Sequence, residues 1–236
     1  MRFGLQDMMQ LSQILKSLLD FNDSKSCFSD MKLCLKRLAK VTSCEDRNCT
    51  FKIRIDSNFD KDASDFLNCV QRETNIPELR PFLSYFTDEL LCNVQQHACV
   101  QEAYAFAYVE QATNHLFLGI ADGGRTIFGS YVKAQKYLEE IGDNEANSLY
   151  FAQKGYSTKN LPEAENRGYG LSSNSRIVVE CLSGAFAIIS GNALSYREAN
   201  ENNFYKLPDN MEWPGTLVIV EIPITNEPIN LYKYIY

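Results

Sequence analysis

Asp88-Glu89-Leu90-Leu91-Cys92-Asn93-Val94-Gln95-Gln96-His97-Ala98 carries two interleaved ridges. Glu89, Asn93 and His97 recur every four residues, a spacing that stacks their side chains along one face of an α-helix. Leu83, Phe86, Leu90, Val94 and Ala98 follow at three- and four-residue steps, so a neighbouring face can dock into a core. The spacing predicts a helix over 78–98 that presents a carboxylate, an amide and an imidazole beside its apolar face. A carboxylate one turn from an amide oxygen suits magnesium chemistry. Mg²⁺ takes oxygen ligands and keeps several waters, and a nearby carboxylate can orient or deprotonate an attacking water. Taken alone, the pattern also describes an ordinary amphipathic helix with solvated Asn and His.

Two later stretches turn that helix toward a nucleotide site. Leu116 to Ile120 is an apolar run of strand length ending in Ala121-Asp122-Gly123-Gly124, where the glycines free the backbone for close approach to a ligand. An Asp at a strand end can accept a hydrogen bond from an exocyclic amine such as that of adenine; an isolated Asp-Gly-Gly is equally a turn. Gly155-Tyr156-Ser157-Thr158-Lys159 is followed by Arg167-Gly168-Tyr169-Gly170-Leu171 and then by a helical pattern over 172–182. Glycines directly before a helix expose N–H groups at its positive end, where phosphate oxygens bind.

In this order the stretches resemble the GHKL, or Bergerat-fold, ATP-binding domain shared by gyrase B subunits, MutL-type mismatch-repair proteins, histidine kinases and anti-sigma-factor kinases. The resemblance covers Ile76 to Pro223. It implies a Glu-x-x-x-Asn box at Glu89 (general base, reaching the metal through water) and Asn93 (Mg²⁺ ligand), with His97 one turn on. It implies an adenine-contacting Asp-x-Gly-x-Gly box at Asp122 and Gly124, with Thr126 in place of the last glycine. The phosphate box maps onto Arg167, Gly168, Tyr169, Gly170 and Leu171. Ser157, Thr158 and Lys159 resemble the Ser-Thr-Lys that precedes that box in some branches, Lys159 neutralising charge in the transition state. Gly215-Thr216 resembles the closing Gly-Thr before the last strand, which makes Thr216 a site residue. The implied cofactors are ATP and Mg²⁺, and the segment 125–167 corresponds to the ATP lid.

The expected fold is an α/β two-layer sandwich of Bergerat type, a mixed and mainly antiparallel sheet covered by helices on one face. Helices are expected over 5–19, 31–41, 62–71 and 78–98, and strands over 51–55, 103–109, 115–121, 185–190, 193–197 and 217–222. Tyr104, Phe106 and Tyr108 alternate with Ala103, Ala105 and Ala107, and the expected helix-covered face is the aromatic one. Thr113-Asn114 and Gly191-Asn192 read as hairpin turns. Residues 200–214 read as irregular, with Trp213 a core anchor or a partner contact. The division reads as an α+β N-terminal portion over 1–75, of open role, and an ATP-binding domain over 76–236.

Composition narrows the function classes. With 236 residues and 45% hydrophobic content the chain can bury a core, and its net charge of -7 argues against nonspecific nucleic-acid or anionic-membrane binding. No apolar run approaches the ~20 residues that span a bilayer, and no signal-peptide pattern opens the chain, so the expected location is the cytoplasm. The eight cysteines form no Cys-x-x-Cys pair and fall largely in apolar stretches, which reads as reduced, buried thiols rather than a metal or disulfide framework. The only histidines are His97 and His115, so no separate phosphoacceptor histidine supports a self-sufficient histidine kinase. The resemblance leaves three functions: an Mg-dependent ATPase that regulates a protein partner or homodimer through lid closure, a serine/threonine kinase of the anti-sigma type, and a nucleotide-gated binding module with negligible turnover.

Overall fold

Alternation decides which side of the sheet the helices occupy. In the computed structural model, which describes residues 49–158, 169–207, 211–225, 229–230 and 232–235, the strands are β1 (Cys49–Arg54), β2 (Glu102–Glu110), β3 (His115–Ala121), β4 (Ala185–Gly191), β5 (Ala193–Glu198), β6 (Glu201–Lys206) and β7 (Trp213–Pro223). They form one seven-stranded sheet in the order β1-β2-β3-β7-β4-β5-β6. Every pairing is antiparallel, so the expected mixed sheet is corrected to a fully antiparallel one. Tight turns account for much of this: Asn114 (φ 54°) and Gly191 (φ 57°) reverse the chain between β2 and β3 and between β4 and β5.

The described helices are α1 (Phe59–Thr74), α2 (Arg80–Asn93), α3 (Ile127–Ala134), α4 (Leu138–Ile141), α5 (Glu145–Gln153) and α6 (Tyr169–Arg176), with a four-residue helix at Tyr232–Ile235. Phe66, Phe82 and Phe86 from the first two are fully buried in one cluster with Ala103, Ala105, Ala107, Leu118, Val220 and Phe186 of the sheet. The helices therefore cover the alanine face of β2, not the aromatic face. Short sheet side chains let the helices approach, and the helices supply the bulk that fills the layer. Truncating Phe86 to Ala would cost about 4 kcal/mol. On the opposite face Phe106 lies across from Gly119, its register partner, and a Cβ on Gly119 would run into the ring.

The chain divides into the units Met1–Arg47 and Asn48–Tyr236. β1 and α1, grouped by sequence with the N-terminal portion, belong to the sheet-bearing unit; the helices expected over 5–19 and 31–41 lie outside the described residues. Two regular elements stand where the sequence pattern predicts none, one inside the segment 200–214 that reads as irregular and one in a stretch without a legible pattern. Residues 201–206 form edge strand β6 against β5, and 145–153 form α5, started by Asn144, whose side chain accepts from Ala146 N–H at 3.1 Å. Ala146, Ser148, Leu149 and Gln153 then bury α5 against the sheet's far half.

One cysteine reading is corrected outright. Cys49 in β1 and Cys69 in α1 form a disulfide, with Cα atoms 6.0 Å apart. Nothing in their 20-residue separation marks the pair, because it arises only when α1 folds back onto the edge strand. Cys92, Cys99 and Cys181 are free thiols. No helix among the described residues is long and apolar enough to cross a membrane.

Candidate functional site

α2 begins behind a short 3₁₀ turn at Pro77–Leu79 and carries Pro81 in its first turn, where the missing N–H costs no helix bond. Leu83, Phe86, Leu90, Val94 and Ala98 bury the apolar ridge as expected. The last turn, Val94–Ala98, widens to a π-helix, a feature concentrated at functional sites, and ends at Cys99 in a left-handed conformation. Glu89, Asn93 and His97 then face a cavity of about 290 Å³ between α2, the ends of β3 and β7, α3 and the start of α6.

At its start, α6 approaches α2 closely. A Cβ on Gly170 would sit 2.7 Å from Glu89 Oε2 and 3.4 Å from Asn93 Nδ2, so any larger residue would force Glu89 to move from this position. Leu171, Ser157 and Thr158 line the same end. Gly170 and the Glu89–Asn93 pair, roughly eighty residues apart in sequence, thus share one wall.

At the other end lies Asp122, 4% exposed. Its Oδ1 accepts from Gly124 N–H at 2.8 Å, its own N–H donates to Thr216 O at 2.9 Å, and its carbonyl accepts from the Trp213 indole N–H at 2.9 Å. Trp213 is therefore a core anchor that braces the loop. Burial pushes the Asp122 carboxyl up to about 6, against N–H donation from Gly124 and Thr216 that pulls it down. A Cβ on Gly215 would collide with Asp122 and one on Gly124 with the Ala98 carbonyl, so both glycines fit close backbone packing.

Thr126 stands at φ -66°, ψ 164° and caps α3, its hydroxyl accepting from Gly129 N–H at 2.9 Å. No left-handed conformation is required there, and the loop tolerates threonine without strain. Neither Gly124 nor Thr126 lines the cavity; both shape the loop behind Asp122. Lys159, Arg167 and Gly168 lie outside the described residues, and Tyr169 is described only as the first residue of α6.

Sequence reasoning missed a third wall. Arg125, Ile127, Ser130, Tyr131 and Tyr156 also line the cavity. Arg125 ties the two sides together: its N–H donates to Ala98 O at 2.8 Å and its guanidinium donates to His97 O at 3.0 Å and to Cys99 Sγ at 2.9 Å. Tyr131 is buried, which raises its phenol, and the hydroxyl donates to Tyr156 O at 2.6 Å. Thr126 directly before the apolar Ile127-Phe128 was a legible cap; the packing of that helix against the cavity was not.

The arrangement is a mainly apolar cleft carrying a carboxylate–amide pair at one end and a buried carboxylate at the other, joined by walls from Ile120, Val218, Val94 and Ala98. No group of three or more His, Cys, Asp or Glu gathers among the described residues, so a cation here would take most of its ligands from a bound anion and water. Glu89 and Asn93 offer the oxygen donors such a cation needs.

The chain matches no family model, no curated protein and no solved structure.

Proposed function

We propose that the cavity binds Mg-ATP and that the protein is an ATPase of the GHKL type. The observation that carries this reading is that Glu89, Asn93, Asp122, Gly170 and Thr216, drawn from four separated stretches, line one cavity. Their chemistry sorts by position: the acceptor Asp122 at the sheet end for an exocyclic amine, apolar walls for a purine, and Gly170 against Glu89 and Asn93 for the triphosphate.

In this reading Asn93 holds the magnesium ion and Glu89 takes the proton of a water attacking the terminal phosphorus. The bound ion supplies charge neutralisation for the phosphoryl group. N–H groups at the start of α6 hold phosphate oxygens, and Ser157 and Thr158, which also line the cavity, add hydroxyl donors. An unstrained Thr126 and an intact Glu89 favour turnover over binding alone. The phosphoryl acceptor is then water, with a partner's hydroxyl as the kinase variant.

The test is a phosphate-release assay paired with a thermal melt in Mg-ATP. Ligand that binds only the native state raises the melting temperature by mass action. A melt unmoved by millimolar Mg-ATP overturns the reading, and a shifted melt without phosphate release leaves a nucleotide-gated binding module.

A further inference from the structure

Four hydrogen-bonding groups meet behind the sheet end of the cavity, and their protons can be counted. Ser190, near the end of β4 and 2% exposed, has one hydroxyl proton. Its Oγ lies 2.9 Å from Ile127 N, 2.9 Å from Gly215 O and 3.1 Å from Thr216 Oγ1. The Ile127 N–H can only donate, and the Gly215 carbonyl can only accept, so the serine proton goes to Gly215. The contact with Thr216 is then completed only if Thr216 donates. Its hydroxyl proton points away from the cavity that its side chain lines.

We infer that Ser190 is a positioning residue that turns Thr216 into a pure hydrogen-bond acceptor beside Asp122, making the sheet end of the cavity selective for a 6-aminopurine nucleotide over its 6-oxo counterpart. The inference rests on the nucleotide reading. An ionised Asp122 also only accepts, and Gly124 N–H is already spent on its Oδ1. Two adjacent acceptors match an amino group, which brings two N–H donors. They oppose a carbonyl oxygen, which brings none, and a buried acceptor left facing an acceptor is costly. Ser190 touches no ligand in this scheme. It acts through the rotor of Thr216, and by accepting from Ile127 it also registers the start of α3 against β4 and β7.

Binding of ATP and of inosine triphosphate, which differ at the 6-position, reads this out. The parent should hold inosine triphosphate at least ~100-fold more weakly than ATP. Ser190→Ala frees the Thr216 hydroxyl to rotate and donate, and should narrow the ratio to within ~10-fold. Because Ser190 is buried, Thr216→Val serves as a second variant: it removes the acceptor and should narrow the ratio as well, while Thr216→Ser should keep it. A loss of general fit would weaken both nucleotides equally and leave the ratio unchanged; that result in Ser190→Ala and Thr216→Val overturns the inference. Equal binding of both nucleotides by the parent overturns it too, with the nucleotide reading intact. Binding of neither overturns both.

Discussion

The two ends of the cavity are built from different materials. The Asp122 end is made of sheet: Asp122 is fixed by Gly124, Thr216 and Trp213, and Thr216 is fixed by Ser190, so nearly every polar group is held by backbone or by a side chain that backbone holds. The Glu89 end is made of helix side chains, Glu89 and Asn93, brought under the backbone of Gly170. A sheet-braced end pre-sets the direction of its acceptors and suits discrimination between ligands. A helix-borne end, with χ angles that adjust to a cation and phosphate, suits chemistry. Substitutions at the two ends should therefore separate: turnover from one, selectivity and stability from the other.

The largest expected effect falls at the helix end. Glu89→Gln keeps the volume and the contact with Gly170 but removes the base, so turnover should drop by ~10²-fold or more with ATP affinity retained. Single-turnover phosphate release beside equilibrium binding checks the split. A variant as fast as the parent places the base elsewhere and erases the contrast between the ends.

Asp122→Asn should produce two effects of opposite sign. The folded pKa of this carboxyl, about 6, lies above its ordinary value. Its contribution to stability is thus present in full below the ordinary carboxylate range and is lost as pH rises through about 6. Asparagine never ionises, so at pH 8 the ligand-free variant should be more stable than the parent, by up to about 3 kcal/mol. ATP binding should fall by ~10-fold or more, because one acceptor becomes a donor facing the amine. In the parent, ATP affinity should fall as pH drops through about 6, where protonation makes the same change. Thermal melts and binding isotherms between pH 5 and pH 8 check both; a variant less stable than the parent at pH 8 would show that the sheet end carries no strain from burying charge.

Gly170→Ala tests the junction between the ends. The added methyl meets Glu89 Oε2 at 2.7 Å, which a carboxylate can relieve by a rotamer change that takes it off its station. ATP should bind ~10-fold more weakly while adenosine, which lacks phosphate, binds as before. An equal loss for both would mean the glycine serves α6 packing rather than the phosphate end.

This difference in construction also governs what the sequence disclosed. Glu89, Asn93, Asp122, Gly170 and Thr216 were legible because each belongs to a short stretch whose spacing or glycine content has a direct geometric meaning. The roles of Ser190, Trp213 and Arg125 were not: each acts through hydrogen bonds to groups distant in sequence that only the fold brings near, and buried serine or tryptophan looks the same in any core. A helical pattern is legible over 130–141, which the structure splits into α3 and α4 at the left-handed Gln135 and Tyr137, whereas 145–153, which forms α5, has buried apolar anchors, Ala146 and Leu149, too sparse to show a period. The helix-covered face of β2 was misread for a related reason: alternation shows that two faces differ, and the bulk of the opposing layer decides which one packs.

The smallest expected effect on the cavity comes from the edge farthest along the sheet from β6. The Cys49–Cys69 disulfide closes a loop of about 20 residues between β1 and α1, which in the chain-entropy account stabilises the fold by about 3 kcal/mol. β1 pairs only with β2, and β2 and β3 separate it from β7, which carries Thr216. Thiol reduction, or Cys49→Ala with Cys69→Ala, should therefore lower the melting temperature on the order of 10 °C while ATP affinity changes less than ~2-fold. Peptide mapping without reductant should recover the two cysteines in one linked fragment. A reduced protein that melts normally but loses ATP binding would show that the staple holds the cavity in shape, through α1 and the α2 it packs against or through the sheet.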